Sequence, residues 1–427
     1  MPVPFTRVTV AGFKSIKHEQ SIEIWPLTIL AGANSSGKSS IIQPLLLLKQ
    51  TIESPFAPSG LRIDGPNLRF SGASEILSHG GRQYRISLDR STGSGISAVY
   101  SLRGASLVVR QTTYRRDDGR CVTLHDRMSS EDIASALREW LEDCRKVTNL
   151  GSFDSSSIQP ASSQNGWRVD SKFGFLFAFG YGAAAGWPEL AIFAESLGGI
   201  LHVQGLRGSR ETYPVTATAE EFPGTFEDYT ASIVWEWQTK RDKRLRDLNQ
   251  DLQRIGLATA VEARHVHDAA FELRVALQPA SRPSFRTVDA GFGVSAILPV
   301  LVALRTAEKG QMVYLDEPDA HLHPRAQVGL AEVLGEAATR GVQVVVETHS
   351  PLLITSVQTL VAEGRLPAAL VKLHWFTRNP KTGWTSVRSA ELDKAGAFGD
   401  WPSDFDQISL ETDDRYLTAA GKASRRR

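Results

Sequence analysis

Gly32-Ala33-Asn34-Ser35-Ser36-Gly37-Lys38-Ser39 names a chemical partner by residue type and spacing alone. In the pattern G-x-x-x-x-G-K-[ST], small residues let backbone N–H groups curl around phosphates, the lysine supplies positive charge and the serine hydroxyl holds a metal ion. The partner implied is a nucleoside triphosphate with Mg²⁺. Working outward, Ser21 to Ala31 (SIEIWPLTILA) reads as a strand entering the loop. Ser39 to Ser54 (SSIIQPLLLLKQTIES) reads as the helix leaving it, and the dipole at its start also favours phosphate. The residues expected to cradle the phosphates are Gly32, Asn34, Ser35, Ser36, Gly37, Lys38, Ser39 and Ser40. Pro44 lies beyond the first turn of that helix, where it costs about 3 kcal/mol and predicts a kink.

A second set of residues supplies what such a loop needs beside its metal. Gln311 to Glu317 (QMVYLDE) is an apolar strand ending in two carboxylates. Asp316 is expected to bind Mg²⁺ through water, and Glu317 to polarise the attacking water. Asp319-Ala320-His321-Leu322-His323-Pro324 then leads to a helix from Arg325 to about Arg340, with Pro324 suited to its first position. A second strand, Val342 to Val346, is apolar apart from Gln343 and ends in Glu347-Thr348-His349-Ser350. Both strands read as buried and parallel, so their carboxyl ends deliver Asp316, Glu317 and His349 to one edge, with His349 placed to contact a γ-phosphate. Asp289-Ala290-Gly291-Phe292-Gly293-Val294-Ser295 opens a further helix, Ala296 to Thr306. Gly291, Gly293 and Ser295 at that N-terminus make a second phosphate-facing surface. One nucleotide needs one cradle, so the second surface is expected to meet the nucleotide of another subunit.

The rest of the chain frames these motifs. Its 427 residues, 41% hydrophobic and 22% charged, have an ordinary globular balance, and the net charge of +1 demands neither nucleic acid nor membrane. Cys121 and Cys144 are the only cysteines, too few for a disulfide framework or a metal site. The N-terminus lacks the pattern of a signal peptide, and no run reaches about 18 apolar residues, so a cytoplasmic protein without a membrane span is expected. Pro4 to Val10 and Ser21 to Glu23 suggest an antiparallel layer laid before the loop. Leu61 to Arg69 reads as a short strand pair about a Gly65-Pro66 turn, and Arg82 to Tyr114 as a β-meander. Ser129-Ser130-Glu131-Asp132 opens a helix with Ile133, Leu137, Trp140, Leu141 and Cys144 on one face. Gly151 to Gly166 is polar and loop-like, and Phe173 to Trp187 has no clean period. Lys240 to Arg246 begins a helix running to about Arg254; its basic run is either a solvated face or a contact for DNA. Thr259 to His265 and Ala270 to Leu277 read as a hairpin.

Together the loop Gly32 to Ser39, Gly291-Phe292-Gly293-Val294-Ser295, Leu315-Asp316-Glu317-Pro318, His321-Leu322-His323-Pro324 and Glu347-Thr348-His349-Ser350 resemble the ABC-type ATPases of the SMC, RecF and recombination-repair group. More narrowly, the chain looks like the stand-alone prokaryotic AAA-family ATPases of anti-phage systems such as Septu and of some retron operons. Gly199 to Tyr213 is similar to a strand-plus-arginine segment of those proteins, and Glu391 to Asp406, with Trp401-Pro402 and Phe405-Asp406, resembles their small C-terminal domain. The resemblance implies an α/β phosphate-loop NTPase of ABC/SMC-like type, with a mixed parallel sheet, an antiparallel β layer and an α+β insertion between phosphate loop and signature. Its expected parts are 1–80 and 281–376 as the two halves of the ATPase, 81–280 as the insertion and 377–427 as a small C-terminal region.

By the same resemblance Lys38 and Ser39 are the loop pair, Asp316 the metal carboxylate, Glu317 the catalytic glutamate, His349 the switch histidine and Gly293-Val294-Ser295 the signature. ATP and Mg²⁺ are the implied cofactors, and a homodimer or higher oligomer, an effector protein of the same operon and DNA are the implied partners. Ala296 stands where those proteins usually carry glutamine, and neither Gln43 nor Gln50 is a convincing glutamine for the loop between lobes. The rivals are an ATP-gated scaffold with little turnover, a transporter ATPase and a nuclease. The transporter is disfavoured by the long stretch between Lys38 and Ser295, and the nuclease by the few residues after Phe376.

Overall fold

The computed structural model describes residues 4–54, 60–141, 168–172, 174–179, 188–205, 210–216, 222–278, 282–399 and 415. The loop expected from Gly151 to Gly166 and the tail motifs at Trp401 to Asp406 lie outside them. β1 (Phe5–Ala11) and β2 (Gln20–Glu23) pair antiparallel, and β3 (Leu27–Gly32) then enters a different sheet. The single strand expected from Ser21 to Ala31 is therefore two. Pro26 has no N–H to offer a ladder, and the Thr28 hydroxyl accepts from Trp25 N (2.8 Å) and donates to Trp25 O (3.0 Å), turning the chain from one layer into the next.

α1 (Lys38–Ile52) runs through Pro44 as one element. Its Leu45, Leu46, Leu47 and Leu48 are all buried, as an all-round apolar helix must be, because a sheet lies on either side. Residues Asp64 and Arg69 form an isolated bridge in place of the expected strand pair. The meander follows as β4 (Gln83–Arg90), β5 (Gly95–Arg103) and β6 (Ser106–Arg115), extended by β7 (Cys121–His125), to give an antiparallel sheet of order β2-β1-β4-β5-β6-β7. α2 (Ser130–Leu141) opens as expected: Ser129 Oγ accepts from Asp132 N while the Asp132 carboxylate accepts from Ser129 N, and Ile133, Leu137 and Trp140 are buried. A hairpin of β8 (Arg168–Lys172) and β9 (Phe175–Phe179), then α3 (Pro188–Gly198), lead to β10 (Leu201–Val203).

After β11 (Tyr213–Pro214) come α4 (Thr230–Thr239) and α5 (Lys243–Ile255). The helix expected from Lys240 starts three residues later, since Arg241 takes φ +52 and Asp242 caps α5 by accepting from Arg244 N at 2.9 Å. β12 (Ala260–His267) and β13 (Ala270–Ala276) form the expected hairpin, with β14 (Phe285–Arg286) beside β13. α6 (Phe292–Thr306), β15 (Met312–Asp316), α7 (Pro324–Thr339), β16 (Gln343–Thr348), α8 (Pro351–Ala362), β17 (Val371–Arg378) and β18 (Thr385–Glu391) complete the described fold. Among the described residues no helix is long and apolar enough to cross a membrane.

The central sheet has the order β10-β15-β16-β3-β17-β18, parallel except for β18. Both its faces are buried, so its strands read as apolar runs. Alternation then assigns sides: Ile29, Val313, Leu315, Val344 and Val346 pack into the layer containing α6, α7 and α8. Leu30, Tyr314 and Val345 point the other way, onto α1 and the antiparallel sheet. By the same period-two rule Asp316 and Glu347, one pleat beyond Tyr314 and Val345, face the start of α1.

Candidate functional site

The glycines of the loop are required by their surroundings. Gly32 takes φ +146, and a Cβ there would lie 2.3 Å from Phe376 O; Gly37 takes φ +101, and its Cβ would meet Thr385 Oγ1 at 2.3 Å. Ser35 also has positive φ, at +60. The loop is braced from the far end of the chain: Thr385 Oγ1 bonds to Ser36 O at 2.7 Å and Ser15 Oγ at 2.8 Å. Ser36 Oγ is buried and makes no hydrogen bond in a site otherwise rich in partners. An orphaned hydroxyl inside a curl that tolerates no Cβ suits a phosphate oxygen as acceptor.

Lys38 turns its ammonium back into this curl. Nζ donates to Gly32 O at 3.1 Å and Ala33 O at 3.2 Å, and burial lowers its pKa against the opposing pull of Glu347, Glu317 and Asp316. His349 Nε2 lies 2.9 Å from the same Nζ and 2.7 Å from Glu317 Oε1. Nε2 thus stands between the Lys38 ammonium and the Glu317 carboxylate. Burial, and then Lys38, hold the imidazole below its ordinary range, so it is neutral at pH 7. Glu317 follows β15 at φ +44, with its N–H fixed on Glu347 O at 3.1 Å. Asp316 is the register partner of Glu347, and a Cβ on Gly205 would come within 2.9 Å of its carboxyl carbon. The segment Gly199 to Tyr213 thus delivers Gly205 against the acidic pair.

Ser39 opens the helix with its hydroxyl donated to Glu347 Oε2 at 2.7 Å. Glu347 is 1% exposed, and the Tyr314 hydroxyl donates to its other oxygen. Burial, reinforced by Asp316 and opposed by Tyr314, Ser39 and Lys38, pushes this carboxyl up to about 8. Neither Glu347 nor Tyr314 was assigned a role from the sequence. The available signal was a tyrosine and a glutamate interrupting two otherwise apolar buried strands at neighbouring ends.

The loop, Asp316, Glu317 and His349 therefore come together at the carboxyl ends of β3, β15 and β16, where such a sheet places ligands. Gly291, Gly293 and Ser295 sit elsewhere. α6 packs against β10 and β15, and its first turn lies beside His321 and Leu322, whereas the loop leaves β3, two strands further along. Ser295 is buried and its hydroxyl donates to Thr287 O at 2.9 Å, so its side chain is turned into its own chain. Phe292 carries the exposed side chain of the segment, standing edge-on to His321 with ring centroids 4.9 Å apart. Gln43 accepts from Lys14 Nζ at 2.7 Å, while Gln50 holds Arg62 O and Leu68 N. In the basic run, Lys240 pairs with Glu236 and Arg244 with Asp242, both at 2.5 Å, which reduces the charge it offers to a nucleic acid.

A family described as "AAA domain, putative AbiEii toxin, Type IV TA system" matches residues 235–355, which include Gly291 to Ser295, Asp316, Glu317 and His349. No curated protein sequence matches the chain. Among solved structures, the SMC head bound to the C-winged helix domain of ScpA is similar at 14% identity, covering 92% of this chain and 99% of that one, with a TM-score of 0.45. The SMC head domain from Thermotoga maritima, also 14% identical, covers 91% of this chain and 100% of its own with a TM-score of 0.38. The SMC head with an extended coiled coil, bound to the C-terminal domain of ScpA derived from Pyrococcus furiosus, gives 14%, 92%, 98% and 0.42. The fold is α/β, with a mixed, largely parallel central sheet and an antiparallel layer beside it.

Proposed function

We propose that the chain binds ATP with Mg²⁺ and hydrolyses it, and that nucleotide binding drives a dimerisation switch used in defence against phage or in DNA maintenance. The observation that supports this best is the meeting of Lys38, Ser39, Asp316, Glu317 and His349 around a glycine curl with an unpartnered buried hydroxyl at Ser36. Ser39 and Asp316 would hold the metal, and Lys38 with Ser36 and the loop backbone would hold phosphate. The metal, when bound, supplies charge neutralisation and fixes phosphate oxygens. Glu317 would accept a proton from a water molecule, and His349 would orient that carboxylate or a terminal phosphate. His349 contacts both Lys38 and Glu317, which ties the phosphate-facing lysine to the candidate general base through one imidazole.

Lys38→Ala removes the ammonium inside the cradle and is expected to weaken ATP binding at least tenfold. Glu317→Gln is expected to keep binding and to lose turnover by about 10²-fold or more, the size of a lost general base. Equilibrium binding of ATP and release of phosphate, measured on both variants, decide the matter. Wild-type turnover in Glu317→Gln would give the water-activating role to another residue, and unchanged binding in Lys38→Ala would remove the loop from the site.

A further inference from the structure

Ser39 reaches the candidate metal position from the first turn of α1, but a serine rotor is free to aim its oxygen elsewhere unless something holds its proton. Glu347 does so at 2.7 Å. A hydroxyl has one proton and two lone pairs, so a proton given to Glu347 leaves the lone pairs turned toward the open side of the loop. Glu347 cannot reach that side itself, being buried with one oxygen on Ser39 and the other on Tyr314. The Tyr314 ring is in turn stacked on His202, centroids 5.3 Å apart and planes at 22°, and His202 Nδ1 is 3.0 Å from Asn67 Oδ1. Strands β10, β15 and β16 and the segment after α1 thus join in one buried set of contacts, with a ring stack between His202 and Tyr314 and hydrogen bonds on either side of it, ending on Ser39. A carboxyl kept in an apolar layer is costly unless it is bonded on both oxygens, and here both bonds serve the geometry of one hydroxyl.

We propose that Glu347, backed by Tyr314, is a positioning residue that aims the Ser39 hydroxyl at the divalent cation accompanying a bound nucleotide, a role that rests on Gly32 to Ser39 being the nucleotide cradle. It acts through Ser39 as an outer partner acts through a metal ligand, where loss typically weakens metal binding about 10–100-fold.

The test is ATP binding to the full chain, measured in EDTA and across a Mg²⁺ titration, for the wild type, Ser39→Ala, Glu347→Ala, Glu347→Gln, Tyr314→Phe and the Ser39→Ala/Glu347→Ala pair. Glu347→Ala is expected to raise the Mg²⁺ concentration for half-maximal enhancement about 10–100-fold while leaving binding in EDTA within about twofold. Glu347→Gln and Tyr314→Phe should fall between it and the wild type. The double variant should be no worse than Ser39→Ala, because both changes remove one route. If Glu347→Ala does not fold, the cycle is run with Glu347→Gln. An unchanged Mg²⁺ requirement, full additivity with Ser39→Ala, or an equal loss in EDTA would each overturn the positioning role and leave the nucleotide reading standing. A wild-type chain that binds no ATP with or without Mg²⁺ would overturn both.

Discussion

His374 in β17 has both ring nitrogens engaged, Nδ1 at 2.8 Å from Ser389 Oγ and Nε2 at 2.7 Å from Glu23 O. The carbonyl requires the proton on Nε2, so Nδ1 accepts from the serine and the neutral ring is satisfied without a third partner. Burial lowers its pKa from 6.5 to about 4. The folded state therefore refuses a proton that the unfolded chain takes up below about pH 6.5. Stability is full above that value and falls toward pH 4 by about 1.4 kcal/mol per unit. His374→Gln is expected to flatten this limb by about 2–3 kcal/mol between pH 6.5 and 4. Denaturant unfolding at several pH values reads it directly, and parallel slopes in the two proteins would assign the acid sensitivity elsewhere. The histidine was unremarkable in the sequence, because the carbonyl that fixes its tautomer comes from Glu23 of β2, 351 positions away.

At the level of elements, α5, α6 and α7 are tied by charges inside the layer below the central sheet. Arg305 of α6 grips Asp251 of α5 through Nε at 2.6 Å and Nη2 at 2.5 Å, and reaches Glu336 of α7 at 3.3 Å. Asp251 is fully buried, and removing it leaves a guanidinium without its main counter-charge. Asp251→Ala is expected to cost about 3–5 kcal/mol, and Asp251→Leu with Arg305→Met to recover much of that loss, by chemical denaturation. If the single variant costs under about 1 kcal/mol, water reaches the pair and the layer is looser than the contacts imply. Because α6 begins at Phe292, a tilt released here would also move that ring. The helix itself was legible in its apolar run, and α7 in Pro324 at its first position, since those signals lie within one turn of the element they mark. The partner of Asp251 was not legible: the stripe Leu248, Leu252 and Ile255 places Asp251 on the inward face of KRLRDLNQDLQRI, but nothing local names Arg305, 54 positions away.

For the whole molecule, the consequence of interest is assembly. One chain has one phosphate loop and, two strands away, a helix start that no side chain caps. With Ser295 committed to Thr287, a partner's nucleotide would meet the backbone of Gly291 to Gly293 and the exposed Phe292 ring with His321 behind it. ATP binding would then be linked to association, since the nucleotide completes the contact. In a background of Glu317→Gln, ATP with Mg²⁺ is expected to double the solution mass, and adding Phe292→Asp should abolish the doubling while each chain still binds ATP at its own loop. Light scattering with and without nucleotide makes the comparison. Doubling that survives Phe292→Asp would move the interface away from the signature segment.

By itself the sequence determined the loop, the two acidic strand ends, His349 at the end of β16 and the helices that follow the loop and Pro324, because glycine spacing, caps and apolar periods are short-range signals. Only the tertiary structure decided that Ser21 to Ala31 is split between two sheets, and that Ser39 lies on Glu347, 308 positions away. It also decided that Thr385 braces Ser36 from 349 positions along the chain. These contacts depend on strand order and on which side of the pleat each residue takes in the central sheet. Parallel strands joined by long crossovers leave no trace of their neighbours in local pattern, so the partners of the site had to be found in space.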